Sequence, residues 1–241
     1  GHNRMYSSIH RVKIVYMMKK LYRVLVLGVL LVPAAYADEC PSCLECPGAS
    51  GIEAAISASG ISEEELLARL VYAETASTGF PHDPVMYEAI SWGVMNRVRL
   101  GGASPSMQKA FGKGIHGVVF QNGQFNPALS RGSPFSREFL CPGDPRKWEK
   151  AQVAARKAME GEGNPFISTE WEKRHGLSLV VNFYYPSSVQ AQEPYAPWEN
   201  STALRFVEEV RIGDSVVPPE RVRFYRLSRP PGDVTDIRGV R

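Results

Sequence analysis

The chain has 241 residues, 44% hydrophobic and 22% charged, proportions that exclude a largely disordered, collagen-like or coiled-coil protein. Its formal charge of +3 suggests a basic protein, but Arg4, Arg11, Lys13, Lys19, Lys20 and Arg23 all precede residue 38 and no acid does. Without those six the balance is 22 Lys+Arg against 25 Asp+Glu, or −3, so net charge supports no nucleic-acid partner.

Met17-Met18-Lys19-Lys20 opens a segment with the three parts of a secretory signal. Lys19, Lys20 and Arg23 are its positive start, Val24–Val32 its apolar run, and Ala35-Tyr36-Ala37 its small-residue cleavage site. The apolar run falls well short of the about 20 residues that span a bilayer. We therefore expect removal of residues 1–37 and export, to the periplasm or cell envelope or by secretion beyond it, with no stable membrane insertion. An uncleaved anchor is the alternative. Asp38 and Glu39 separate Ala37 from Cys40, which disfavours a lipoprotein. Residues 1–16 precede the Met17 start and read as upstream sequence.

In an exported protein cysteines read as disulfides before metal ligands. Cys40, Cys43 and Cys46 form a C-x2-C-x2-C triplet, and Cys141 is distant. Four cysteines allow three pairings, and spacing does not choose among them. One triplet member joined to Cys141 would tether the N-terminal segment to the domain.

Residues 38–60 read as a Cys/Pro/Gly-rich linker with a short helix near Ile52–Ile56. Ser62-Glu63-Glu64-Glu65 predicts a capping box opening the first strong helix, whose apolar face is Leu66, Leu67, Leu70 and Val71. Gly79, Pro81 and Pro84 end it. Asp83-Pro84 opens the next helix, with Ala89, Ile90, Gly93, Val94, Arg97 and Val98 at helical spacing and Gly101-Gly102 as its close. Gly117-Val118-Val119-Phe120 reads as a β-like run in a Gly-rich stretch. Asp144-Pro145 starts a third helix, with Trp148, Ala151, Ala155, Ala158 and Met159 inward and Gly161 as its stop. Leu179–Tyr185 reads as a strand, Arg205–Val217 and Arg221–Leu227 as a terminal hairpin or short sheet, and residues 229–241 as a flexible tail. The fold class is helix-rich α+β, one domain over 61–228.

Glu74 lies four residues after Leu70 and eight after Leu66, which puts a carboxylate on an apolar helix face. Such a group resists ionisation, the property a general acid near neutral pH requires. A structural glutamate paired with an arginine is the alternative. Arg97, on a mostly apolar stripe, is a candidate partner that would lower the Glu74 pKa.

Ala73-Glu74, Asn96-Arg97-Val98, Gly117-Val118-Val119-Phe120-Gln121-x-Gly-Gln124-Phe125 and Asn182-Phe183-Tyr184-Tyr185-Pro186 occur in this order. Together they resemble the SleB-type, spore-cortex-lytic cell-wall hydrolases, from about Leu66 to Ser188. The resemblance implies a lysozyme-like helical domain with a small antiparallel β element, Glu74 as catalytic acid, and peptidoglycan glycan strands as substrate. The family continues after its Glu with Ala-Arg-Gly-Glu or close to it, whereas this chain has Thr75-Ala76-Ser77-Thr78-Gly79. Residues 126–146 read as an insertion carrying Cys141.

Most glycosidases use two carboxylates. Of the candidates for the second, Asp83 is better explained as a helix cap and Glu88 as a solvated residue. Lack of a second acid favours a lytic transglycosylase, in which one Glu serves as acid and then base and no cofactor is needed. Gln124 and Phe125 are expected at a cleft lip, Gln bonding sugar polar groups and Phe stacking, unless they are a turn and a buried anchor. Strand alternation puts Asn182 and Tyr184 on one face, taken as the cleft side, and Phe183 and Tyr185 on the other. Asn96 is expected to tie a helix.

A zinc amidase would need clustered ligands, but His82, His116 and His175 are scattered and no H-E-x-x-H occurs. No G-x-S-x-G supports a serine hydrolase. A non-catalytic glycan-binding or scaffolding protein of the same fold is the main alternative.

Overall fold

The computed structural model describes residues 39–45 and 51–235. The segment 1–37, expected to be a secretory signal, and Cys46 lie outside the described residues. Helix boundaries follow local chemistry. After a short helix α1 (Ile52–Ser59), Ser62 caps α2 (Glu63–Ser77) by accepting from the Glu65 N–H at 3.1 Å. The reciprocal half of the expected capping box is missing, because the Glu65 carboxylate turns to Arg69 instead. Asp83 caps α3 (Pro84–Ala103), accepting from Val85 N at 3.0 Å. Gly101-Gly102 does not end this helix. Ser104 does, capping α4 (Pro105–Phe111) as the chain turns.

The Gly117–Phe120 run is not extended. It belongs to α5 (Gly114–Val119), where Ile115, Val118 and Val119 recur at helical spacing and are buried. Short helices α6 (Asn126–Leu129) and α7 (Ser136–Leu140) follow. Asp144 caps α8 (Pro145–Glu160), and Gly161, at φ 87°, adopts the left-handed conformation that stops it. A capping box between Thr169 and Glu172 starts α9 (Glu170–His175).

α2 packs against both α3 and α8. Leu67, Leu70, Met86, Tyr87, Ile90 and Trp92 are all 0–1% exposed at this junction. Burying each such side chain is worth about 1.5–3 kcal/mol before chain entropy is counted. No helix of the described residues is long and apolar enough to cross a membrane.

The N-terminal segment is docked rather than a free linker. Cys43 is joined to Cys141, one of the pairings left open by the sequence. Closing a loop of 98 residues restricts the unfolded chain by roughly 4–5 kcal/mol in the chain-entropy picture. Leu44 N donates to Leu140 O at 2.9 Å beside the disulfide. Arg69, 0% exposed, clamps the same region by donating to Ser42 O at 2.7 Å and Leu140 O at 2.8 Å. Its charge is met by Glu65 at 2.7 Å. That demand for a counter-charge is why Glu65 leaves the helix cap.

Five strands follow: β1 (Val180–Tyr184), β2 (Leu204–Val207), β3 (Arg211–Ile212), β4 (Ser215–Val216) and β5 (Arg223–Leu227). Of the expected alternatives, a terminal hairpin or a short sheet, the short sheet forms. β5 is the middle strand of an antiparallel sheet ordered β1-β5-β2, and β3-β4 is a separate small ladder. The architecture is thus helix-rich α+β. The tail is tied down as far as Thr235, which donates to Ala103 O at 2.9 Å, while Asp233 accepts from Ser106 N at 2.7 Å.

β1 carries a bulge between Val180 and Asn182. Two side chains of α3 occupy the carbonyls there. Asn96 Nδ2 donates to Val180 O at 3.0 Å, and Arg97 Nε donates to Val181 O. The bulge places Val180 and Val181 both inward and leaves Asn182 and Tyr184 half-exposed, with Phe183 buried between them. Gly93 makes this close approach possible, since a Cβ there would sit 2.9 Å from the Phe183 ring. That ring is itself packed against Phe125, Tyr185 and Phe224 and has little room to move. We expect Gly93→Ala to cost about 1–3 kcal/mol in urea unfolding and to displace β1, seen as amide shifts at Asn182–Tyr185.

Candidate active site

α2 delivers Glu74 to the wall of a cleft of about 370 Å³. The floor and far wall come from β1, the loop before α6 and the loop after β1. Glu74 is 5% exposed. Burial pushes its carboxyl up to about 7, against the opposing pull of the Tyr185 hydroxyl and, behind it, the Arg97 charge. Among the described residues lining this cleft, Glu74 is the single carboxylate.

Arg97 does not form an ion pair with Glu74. Its guanidinium donates to Val181 O and, at 2.7 Å, to Gln124 Oε1. The rings of Phe111, Phe125 and Phe183 surround it at 5.1–5.7 Å from their centroids. Burial lowers its own pKa to about 10, while Tyr185 and Glu74 act the other way. Gln124 therefore lies at the exposed lip, as expected, with its carbonyl held by Arg97. Phe125 is 1% exposed and cannot present a face to a ligand, so the stacking role is corrected to that of a buried anchor under Arg97.

Asn182 and Tyr184 both line the cleft, in keeping with strand alternation. The Tyr184 hydroxyl donates to Glu193 O at 2.6 Å, which steadies the following loop. Tyr185 was expected on the core side with Phe183. It too lines the cleft, because the chain leaves the strand at Tyr184 and strict alternation ends there. Its hydroxyl is buried beside Glu74 without the geometry of a full hydrogen bond to any protein group. Burial, then repulsion from the Glu74 carboxylate, raises its pKa well above the usual tyrosine value.

The remaining candidates lie elsewhere. Asp83 caps α3 and pairs with Arg221, and Glu88 pairs with Lys157 at 2.6 Å across α3 and α8. Asn96 ties α3 to β1 and accepts from Asn164 at 2.8 Å. No group of three or more His, Cys, Asp or Glu among the described residues is arranged to hold a metal ion. The residues after Glu74 have local work. Thr78 Oγ1 donates to Thr75 O at 2.7 Å at the end of α2, and Ser77 meets Ser188 at 3.1 Å across the cleft wall.

No family model, curated protein or solved structure matches this chain. Within the structure, residues of the four ordered sequence motifs converge in space. Glu74, Arg97, Gln124, Asn182 and Tyr184 line one cleft.

The raised Glu74 pKa has a stability consequence. The folded protein holds this proton more tightly than the unfolded chain, whose carboxyl titrates near its ordinary 4.5. Folding free energy is therefore lost as pH rises from about 4.5 to about 7, by roughly 3 kcal/mol. In urea unfolding, Glu74→Gln should be about 3 kcal/mol more stable than wild type at pH 8, with the gap closing near pH 4.

Tyr185→Phe removes the group that most favours the ionised form of Glu74. The Glu74 pKa, followed by carboxyl NMR titration, should then move upward from about 7.

Proposed function

We propose that this is an exported peptidoglycan glycan-strand cleaving enzyme of SleB-type, lysozyme-like fold, acting as a lytic transglycosylase. The observation that carries the reading is a lone buried carboxyl in an open cleft, held half-protonated near neutrality. A glycosidic oxygen leaves only if it is protonated, and Glu74 at about 7 retains a proton for it. As the C–O bond breaks, positive charge develops on the sugar, and the newly formed Glu74 carboxylate lies in a poorly solvated wall where its field is strong. That carboxylate then takes the proton of the sugar's own 6-hydroxyl, whose oxygen closes onto the anomeric carbon. The product is an anhydro sugar, and Glu74 is returned protonated. One carboxylate suffices because no water needs to be activated. Gln124, its carbonyl occupied by Arg97, offers amide N–H groups to sugar acceptors, and Asn182 and Tyr184 supply further polar contacts.

Mass spectrometry of purified sacculi digested by the protein tests this. Wild type should release anhydro-muramyl products, and Glu74→Gln should release 10²–10⁴-fold less, on the order of the usual contribution of general acid–base catalysis. Reducing ends instead would mean hydrolysis and a water activated from outside the cleft. No release by a folded protein that still binds sacculi would favour a glycan-binding module. Abolition by a strong chelator would favour an amidase. Because the acid form starts the reaction, kcat/KM should fall about tenfold per pH unit above about 7.

A further inference from the structure

We propose that the groove next to the Glu74 cleft is a second saccharide subsite, taking a further N-acetylated sugar residue of the same strand. The proposal rests on the glycan-cleaving reading above and adds where the chain continues. The groove, about 640 Å³, shares Tyr184 and Pro197 with the Glu74 cleft, so a ligand leaving one enters the other. Its remaining wall includes Glu193, Tyr195 and Asn200.

Tyr195 is the central observation. It is 57% exposed, one of the few large apolar side chains so placed. Its ring is held from one side, with the Arg223 guanidinium 5.1 Å from the ring centroid. Arg223 is in turn fixed by Glu199 at 2.7 Å and by the Phe206 ring at 4.1 Å. A rigid aromatic with an open face, flanked by amide and carboxylate acceptors, suits a sugar ring, which has an apolar C–H face and a polar rim.

The loop bearing it is anchored. Tyr184 holds Glu193 O at 2.6 Å, and Glu199 accepts from the Tyr225 hydroxyl of β5. Burial opposes ionisation of Glu199, but its bonds to Tyr225 and Arg223 outweigh this and hold its pKa below the usual value, so it stays a carboxylate under the loop. Trp198 packs between Tyr184 and Tyr225 at 6.3 and 5.9 Å. Trp198 itself lines the Glu74 cleft, and its indole N–H is buried without a protein hydrogen-bond partner.

Titration of the full chain carrying Glu74→Gln with N-acetylglucosamine dimer and tetramer, read by calorimetry and tryptophan emission, is the test. The tetramer should bind at least tenfold tighter than the dimer. Tyr195→Ala should abolish that advantage and leave dimer affinity unchanged, and Tyr195→Phe should keep it. A tetramer affinity unmoved by Tyr195→Ala would overturn the second subsite while leaving the Glu74 reading standing. Failure of both oligomers to bind, with no release from sacculi by wild type, would overturn both. A sugar-free stem peptide that binds the groove and is lost with Tyr195→Ala would overturn the saccharide assignment in favour of a peptide.

Discussion

The site depends on one buried cation that has no carboxylate partner. Arg97 is 4% exposed, and it satisfies its guanidinium with a backbone carbonyl, a neutral amide and three aromatic rings. Those partners come from three segments, the end of α4, the loop before α6 and β1. Val181 O fixes the bulged strand, Gln124 fixes the lip, and Phe125 and Phe183 fix the floor. An ion pair with Glu74 would have satisfied Arg97 more cheaply. It would also have abolished the proton affinity that distinguishes Glu74. Binding neutral partners lets Arg97 organise the cleft while only moderating the acid at its centre.

The motif order in the sequence has a physical explanation here. Asn96-Arg97-Val98 and Asn182-Phe183-Tyr184-Tyr185-Pro186 are two halves of one joint. The helix supplies Asn96 and Arg97 as donors, and the bulged strand supplies the consecutive carbonyls of Val180 and Val181. Gly93 lets the two backbones approach. The Gln124-Phe125 pair is the third part, one member gripping the guanidinium and the other packing against it. Residues that look separate along the chain are therefore a single hydrogen-bonded and aromatic cluster.

Local signals were legible where they were self-contained. The Ser62, Asp83 and Asp144 caps, the Gly161 stop and the placement of Glu74 among Leu66, Leu70 and Val71 all needed only spacing. Signals that depend on a distant partner were not. Val118-Val119 has strand-like composition, but Ile115 completes a helical face against the core. β5 pairs on both sides, a fact that no pattern within Arg223–Leu227 encodes. Glu65 gives up the capping box because Arg69 is buried next to it. Tyr185 escaped alternation because the strand stops one residue earlier. The pairing of Cys43 was open among three arrangements and is set by the docking of Leu44 on Leu140.

The uncharged stretch Thr75-Ala76-Ser77-Thr78-Gly79 after Glu74 also fits this logic. A second acid and an arginine at that point would bring two more charges to the last turn of α2. In this chain that turn is closed by neutral groups, Thr78 on Thr75 and Ser77 on Ser188. Nothing in the turn then adds charge next to Glu74, and desolvation remains the largest influence on its proton. The opposing influences, Tyr185 first and Arg97 second, come from other elements, the end of β1 and α3. A ligand covering the cleft would reduce the solvation of the ionised carboxylate further and so favour the protonated form of Glu74.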